Sequence, residues 1–171
     1  MKTSVVVIIF NRPDKTKLLF ESISKYKPNK LFIISDGPRK NVLNDFEKVK
    51  ETRKIFEKIP WRCEIFTNYS TKNLGTRKRV VSGIDWVFKN VEEAIFLEDD
   101  CIPSNNFFPF MEKMLIRYKS NPKIGSICGS NFLSKKNLDE ESYFYSKYFN
   151  SWGWATWKNR WHKFDRNLKT L

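Results

Sequence analysis

Short apolar runs separated by amphipathic segments occupy most of this chain. Three runs of four to six apolar residues, 5–10, 31–34 and 94–97, have the length of strands buried on both faces. Between them, apolar residues recur at helical spacing. Regular alternation of buried strands and helices predicts an α/β domain with a mostly parallel sheet and helices on both faces.

The pattern also predicts where each element lies. The predicted strands cover residues 4–10, 31–35, 61–67, 94–97 and 124–128, with an edge strand at 143–145. The predicted helices cover residues 13–26, 43–59, a segment around Val80 to Val91, and 104–119. A last helix is predicted from Trp154, because apolar residues follow it at helical spacing and form a packing stripe. The stripe consists of Trp154, Trp157, Trp161, Phe164 and Leu168.

Three consecutive carboxylates, Glu98, Asp99 and Asp100, follow the apolar run 94–97. They lie at the carboxyl end of a predicted strand, where open α/β sheets bind ligands. Adjacent carboxylates repel one another unless a cation neutralises them, and oxygen ligands favour Mg²⁺ or Mn²⁺ over zinc. A metal held there would bind a phosphate. The alternative is an acidic turn before a helix capped by Ser104, where negative charge is favourable.

Polar residues also follow the first two predicted strands. Asn11 and Arg12 come after the first strand, and Asp36 comes after the second. A strand-end carboxylate can accept hydrogen bonds from a base or ribose, and an arginine can bind a phosphate or carbonyl. The structural alternatives are Asn11 as a helix cap, Arg12 as a solvated side chain and Asp36 as a turn former. Their shared position along one sheet edge favours a nucleotide site.

Three basic residues, Arg77, Lys78 and Arg79, begin a predicted helix behind Gly75. Cations beside a helix N-terminus could help to hold a diphosphate. The sequence contains neither a G-x-G-x-x-G fingerprint nor a P-loop. A dinucleotide-binding fold and a P-loop site are therefore not supported.

The chain of 171 residues has 32 lysines and arginines against 19 aspartates and glutamates, a formal net charge of +13. This excess favours an anionic partner: nucleic acid, anionic lipid or a phosphorylated small molecule. The basic residues are spread along the chain, and neither an RNA-binding aromatic signature nor a recognition-helix pattern stands out. We therefore do not expect nucleic acid to be the partner.

The cysteine and histidine content argues against disulfide bonds and structural zinc. Three separated cysteines and a single histidine predict neither a disulfide framework nor a zinc site, and favour a reducing compartment. The amino-terminal apolar run is too short for a signal peptide, and no run approaches the roughly 20 residues that span a bilayer. We predict a cytoplasmic protein and leave peripheral association with an anionic membrane open.

Five segments of the chain carry a family resemblance: VVVIIFNRP from Val5, ISDGPR from Ile34, NLG from Asn73, LEDD from Leu97 and SWGWATW from Ser151. Together they resemble bacterial nucleotide-diphospho-sugar transferases of the GT-A fold, in particular the glycosyltransferase family 2-like group. A more remote similarity is to the animal N-acetylglucosaminyltransferase that acts first on N-glycans. The resemblance covers nearly the whole chain and implies one GT-A (Rossmann-like) domain over residues 1–171 that works as a metal-dependent glycosyltransferase.

The resemblance also implies roles for individual residues. Asp100 would bind Mn²⁺ or Mg²⁺ on the sugar-nucleotide diphosphate, Asp99 would face the ribose or a metal-bound water, and Glu98 would face the donor sugar. Asp99 is the second candidate metal ligand. Asp36 and Arg12 would hold the nucleobase. The predicted nucleotide-binding set is Asn11, Arg12, Asp36, Arg77 and Asp99.

Trp152 and Gly153 precede the tryptophan stripe. By the resemblance, this turn borders the donor sugar. An indole face can stack there on pyranose C–H groups, and the missing Cβ lets the sugar approach. We predict that Trp152, Gly153 and Trp154 line the site.

The general base that an inverting transferase needs is not identified by the sequence. Its candidates are Asp165 and the loop acids Asp139, Glu140 and Glu141. The resemblance puts the base just beyond Leu171, so we expect the chain to lack an acceptor-side segment and to be weakly active.

The expected donor is a UDP-sugar, and the expected acceptor is a saccharide or a lipid-linked molecule. Two other functions stay open. A sugar-phosphate nucleotidyltransferase would share the sheet and the metal, but normally has a Gly-rich basic loop where this chain has Asn11-Arg12-Pro13. A non-enzymatic basic module for anionic membrane or nucleic acid would show steep salt dependence and indifference to Mn²⁺.

Overall fold

The computed structural model describes residues 2–132 and 143–165. Strands and helices alternate through most of this part of the chain. No helix in it is long and apolar enough to cross a membrane. The elements are β1 (Ser4–Ile9), α1 (Pro13–Tyr26), β2 (Lys30–Ser35), α2 (Asp45–Lys54), β3 (Glu64–Tyr69), α3 (Thr76–Val87), β4 (Glu93–Glu98), α4 (Phe107–Tyr118), β5 (Ile127–Cys128), β6 (Trp154–Trp157) and α5 (Lys158–Trp161).

The described strands form one six-stranded sheet in the order β3-β2-β1-β4-β6-β5. The first four strands in this order are parallel. Strand β6 runs antiparallel to both of its neighbours, β4 and β5. The predicted mostly parallel sheet is therefore confirmed, with an antiparallel pair added at one side.

Alternate residues of the central strands enter two apolar cores on opposite faces of the sheet. On one face, Val7 belongs to the same core as Leu19 of α1 and Met111 of α4. On the other face, Val6 packs in a core with Ile84 of α3. All five of these side chains are at most 1% exposed. Helices thus cover both faces, and the fold is a Rossmann-like α/β fold.

The helix predicted from Trp154 is wrong, because Trp154–Trp157 forms strand β6 and α5 has only four residues. Pairing explains the difference: β6 extends the sheet beside β4, with Ala155 opposite Ile95. All four residues of β6 are buried. Trp154 enters one core and Trp157 the other, so burial on both faces decides the conformation against the helical spacing. Leu168 lies outside the described residues.

Three smaller expectations also differ from the structure. Residues 143–145 form no strand. Helix α4 begins at Phe107, and its cap position is Asn106, without a side-chain cap hydrogen bond. Ser104 does not cap this helix; its carbonyl oxygen instead accepts the Phe107 N–H at 3.1 Å. The second helix is shorter than predicted, because the chain from 37 to 44 turns around the end of β2 before α2 begins.

Candidate functional site

Strands β2, β1 and β4 are neighbours and run parallel, so the loops that follow them lie along one edge of the sheet. These loops contain the three groups that the sequence singles out: Asn11 with Arg12, Asp36, and the acidic triplet 98–100. The predicted location of these groups at the carboxyl edge is therefore confirmed. Their roles depend on the contacts that each side chain makes.

The three acids differ in their exposure. Glu98 is the half-buried last residue of β4, the Asp99 side chain is 10% exposed, and the Asp100 side chain is 47% exposed. Burial raises the pKa of Glu98 above its ordinary value, and the charges of Asp100 and Asp99 raise it further. Burial likewise raises the pKa of Asp99, although the nearby Arg12 opposes this shift. Asp100 is thus the member of the triplet that is most open to a ligand.

Arg12 neutralises part of this acidic cluster. Its Nη1 atom lies 2.8 Å from Oδ2 of Asp100 and 3.3 Å from Oδ1 of Asp99. The backbone N–H of Phe10 also donates to Asp99, at 3.3 Å. The residue after β1 therefore contacts the residues after β4 directly. In this structure Arg12 is paired with two acids, and its predicted contact with a nucleobase stays a prediction.

A cleft of about 520 Å³ opens beside Asp100. It brings together two predicted stretches that lie about fifty residues apart in sequence, the acidic turn and the turn at Trp152 and Gly153. The antiparallel pairing of β6 with β4 produces this proximity, because it returns the chain to the carboxyl end of β4. The lining residues are Leu97, Asp100, Cys101, Ile102, Pro103, Ser104, Phe107, Gly129, Ser130, Trp152 and Gly153.

The turn at the cleft depends on a glycine. Gly153 has φ of 70°, in the left-handed region, and a Cβ there would lie 2.9 Å from a ring carbon of Phe107. The preceding residue, Trp152, is 59% exposed and contacts the Phe132 ring edge to face at 5.6 Å between centroids. An exposed indole therefore stands at the cleft wall, where it can stack against an apolar ligand face.

Trp154 does not line this cleft. It is 7% exposed and stacks on Phe96 with centroids 4.6 Å apart, in the core on the α3 side of the sheet. Successive strand residues point to opposite faces. The predicted site-lining set is thus reduced to Trp152 and Gly153. Glu98, which was predicted to face a donor sugar, is also not among the residues that line the cleft.

The Asp36 carboxylate is bound by backbone. It is 7% exposed and accepts hydrogen bonds from the N–H groups of Gly37, Leu74 and Gly75 at 2.9 to 3.1 Å. The Asn73 side chain donates in turn to the Gly37 carbonyl at 2.8 Å. Asp36 therefore fixes the loop before α3 against the end of β2. A direct contact with a base or ribose stays a prediction.

The three basic residues at the start of α3 differ in their exposure. Arg77 and Lys78 are exposed on the first turn, whereas Arg79 is 5% exposed. Arg79 donates to the Ser35 carbonyl at 3.1 Å and to Oδ1 of Asn68 at 2.8 Å. Its guanidinium thus joins the ends of β2 and β3 inside the protein. The suggestion that Arg79 holds a diphosphate is wrong, because its hydrogen bonds are committed to these groups.

A further acid at this edge, Asp45, was missed. Asp45 is 1% exposed, forms an ion pair with Arg39 at 3.0 Å, and accepts a hydrogen bond from the Asn11 side chain at 2.5 Å. Asn11 therefore does not cap α1. In the sequence, Asp45 is one acid among many charged residues near a helix start, which is an ordinary position for an acid.

The acids fit a metal only in part. Within residues 2–132 and 143–165, no group of three His, Cys, Asp or Glu side chains could hold a metal ion. Mg²⁺ is commonly bound by one or two carboxylates together with substrate phosphates and waters. Asp100, half-exposed and lining the cleft, supplies such a carboxylate. The donor set therefore fits a metal that a bound diphosphate completes.

Three of the four candidate general bases lie outside the described residues: Asp139, Glu140 and Glu141. Asp165 is the last residue of the described segment 143–165 and is not among the residues that line the cleft. The base remains unassigned.

Comparison with known proteins assigns no family to this chain. No protein-family model matches the chain, and no curated protein matches it. Among solved structures, the chain is similar to the 4-diphosphocytidyl-2C-methyl-D-erythritol synthase from Anaerococcus prevotii. The two are 11% identical, the match covers 92% of this chain and 72% of that one, and the TM-score is 0.47.

Proposed function

We propose that this chain binds a nucleotide-diphospho-sugar along the carboxyl edge of its sheet and transfers the sugar to an acceptor hydroxyl. The observation that supports the proposal best is the cleft that joins Asp100 to Trp152 and Gly153. Its lining includes a carboxylate that can share a metal with a diphosphate and an indole that can stack on a sugar ring. The proposal also agrees with the resemblance to GT-A transferases.

Different residues would contact the two ends of the ligand. Asp100, with Asp99 behind it, would hold Mn²⁺ or Mg²⁺ against the diphosphate, and the bound metal would stabilise the charge of the leaving group. Trp152 and Gly153 would border the sugar. Asp36 would act at the nucleoside end, where it already fixes the loop before α3.

In the reaction, the bond between the anomeric carbon and the diphosphate oxygen breaks, and the acceptor oxygen bonds to that carbon. The acceptor proton passes to a general base, and the nucleoside diphosphate leaves with the bonding electrons. The part played by the described residues is to bind and orient the donor. Arg12 and the exposed Arg77 supply cations near the negative charge of the nucleotide.

The second candidate is a sugar-phosphate nucleotidyltransferase, which would use the same sheet edge and metal carboxylates. The feature against it is the loop after β1, where Asn11-Arg12-Pro13 leads directly into α1 instead of a Gly-rich basic loop.

The first experiment measures binding. Thermal shift and calorimetry with UDP, CDP, GDP and their sugar conjugates, with and without Mn²⁺, should show stabilisation that needs both nucleotide and metal. Asp100→Asn should abolish the metal-dependent part and leave the fold intact, since relieving repulsion among acids is neutral or stabilising. Asp14→Asn is the matched control, because Asp14 is an exposed acid on α1. Equal Mn²⁺-dependent binding by the Asp100 variant would refute the assignment.

A second experiment separates the candidate reactions by their products. Release of free sugar or acceptor-linked sugar from a nucleotide-sugar supports the glycosyltransferase. Release of pyrophosphate from a nucleoside triphosphate and a sugar phosphate supports the nucleotidyltransferase. Binding to anionic vesicles or nucleic acid that falls steeply with salt and ignores Mn²⁺, with no nucleotide binding, would refute both.

A further inference from the structure

One buried carboxylate connects two loops of the proposed nucleotide edge. Asp45, the first residue of α2, accepts hydrogen bonds through Oδ2 from the backbone N–H and the Nε of Arg39, at 2.8 and 3.0 Å. Through Oδ1 it accepts Nη2 of Arg39 at 3.0 Å and Nδ2 of Asn11 at 2.5 Å. The Arg39 guanidinium holds the pKa of Asp45 well below its usual range. The carboxylate is therefore ionised and fully engaged.

The backbone and a neighbouring ring fix this arrangement. Asn44, directly before Asp45, has φ of 62°, a left-handed conformation that asparagine tolerates better than most residues. The Arg39 guanidinium lies 5.3 Å from the centroid of the Phe10 ring. With Nε and Nη2 held by the carboxylate, the guanidinium has one orientation, while the Arg39 side chain stays 47% exposed.

The two partners of Asp45 belong to adjacent strands. Asn11 follows β1 and Arg39 follows β2, and these strands pair in parallel. Asp100 and the cleft lie on the other side of β1, at β4. A nucleotide that placed its diphosphate at Asp100 and extended along the sheet edge past β1 would have its ribose and base on the side of Asn11 and Arg39.

Stability alone gives a weak reason for an ion pair in which the carboxylate is buried and the guanidinium is half-exposed. Desolvation of the two charges offsets much of their attraction, and apolar pairs of similar size often replace such pairs without loss. Fixed geometry is a better reason, because four hydrogen bonds hold two loops in register.

We propose that Asp45 is a positioning residue for nucleotide binding, which holds Asn11 and Arg39 as one rigid polar edge against the base and ribose. The inference rests on the proposed nucleotide site. It predicts that loss of the Asp45 network lowers the affinities for nucleoside monophosphates and nucleoside diphosphates by the same factor. The affected contacts are to the base and ribose, which both ligands share. Loss of Asp100, in contrast, should lower only the Mn²⁺-dependent affinity for nucleoside diphosphates.

The test replaces the ion pair as a unit. The double variant Arg39→Met with Asp45→Leu removes both charges together and leaves no unpaired charge behind, so it should stay folded. Calorimetry with UMP, CMP, UDP and CDP should show binding weakened roughly 10- to 100-fold, as expected for lost contacts to a charged group. The factor should be equal for the monophosphate and the diphosphate. Lys40→Met, which removes the exposed neighbouring cation, is the matched control.

Each outcome decides the matter. A folded double variant that binds UMP and CMP as tightly as the unaltered chain overturns the inference and leaves the proposed function standing. If the unaltered chain binds no nucleotide, both fail. If the double variant does not fold, Asn11→Ala decides, since it keeps the ion pair. The Asn11→Ala variant should bind UMP or CMP with an affinity lowered roughly 2- to 10-fold, and an unchanged affinity overturns the inference.

Discussion

Nη1 of Arg12 lies 2.8 Å from Oδ2 of Asp100, so a guanidinium already sits against the carboxylate proposed to bind a divalent cation. The same nitrogen lies 3.3 Å from Asp99. Two cations cannot share these oxygens without repulsion. Arg12 would therefore compete with the proposed metal in the nucleotide-free protein, and would be released from Asp100 if the phosphates of a bound ligand offered it another anionic partner.

The first prediction follows from this competition. Arg12→Met should raise the Mn²⁺ affinity of the nucleotide-free protein by up to about fivefold, since exposed ion pairs contribute roughly 0.2–1 kcal/mol. Titration followed by the electron paramagnetic resonance signal of free Mn²⁺ measures this directly. Lys15→Met, which removes an exposed cation from the first turn of α1, should leave the affinity nearly unchanged. The same Mn²⁺ affinity in all three proteins would contradict the competition.

The second prediction concerns the glycine at the cleft. Gly153→Ala should lower the free energy of unfolding by about 1–3 kcal/mol, because the residue keeps a left-handed φ and its Cβ meets Phe107 at 2.9 Å. Gly125→Ala is the matched control, since a Cβ at Gly125 meets nothing within 4 Å. Its effect should stay within about 0.5 kcal/mol. Urea denaturation measures both, and equal effects would count against the close approach at Gly153.

The third prediction separates the two roles of Asp36. Asp36→Ala leaves three backbone N–H groups without their acceptor, so the free energy of unfolding should fall by about 1–3 kcal/mol. Nucleoside diphosphate affinity should also weaken by about 1–3 kcal/mol if the carboxylate meets the nucleoside. Denaturation and calorimetry on the same sample measure the two effects. A destabilised protein with unchanged affinity would make Asp36 a loop anchor only.

The fourth prediction is the pH dependence of stability. Because Arg39 lowers the pKa of folded Asp45, the carboxylate stabilises the folded state above the unfolded-state pKa of about 3.9. This contribution is lost as the pH falls below that value toward the folded pKa. Asp45→Asn should therefore be less stable than the unaltered chain at pH 7, by about 1–3 kcal/mol. The difference should shrink below about pH 4 in urea denaturation series, and a constant difference down to pH 2 would contradict the lowered pKa.

Local patterns in the sequence determined the order of elements and the sheet edge at which the candidate site lies. Apolar runs such as 94–97 are buried strands because they can hide both faces in a covered sheet, and Pro13 begins α1 where its fixed φ suits a first turn. Parallel pairing then brings Arg12, Asp36 and Asp100 to one edge without any further information. The fold class and the place of the site follow from these short-range signals.

Tertiary structure alone decided which side chains meet. Arg12 and Asp100 are 88 residues apart in sequence, and no local pattern records that one neutralises the other. Trp154 has helical spacing to the later apolar residues, yet it lies in strand β6. The open side of β4 offers backbone partners to this strand, and the two cores bury the side chains of β6 on both faces of the sheet. Arg79 turns inward and Asp45 links two loops because buried carbonyls and donors from other strands need partners there. Periodicity identifies the buried face of an element, but hydrogen-bond partners depend on distances that exist only once the sheet is assembled.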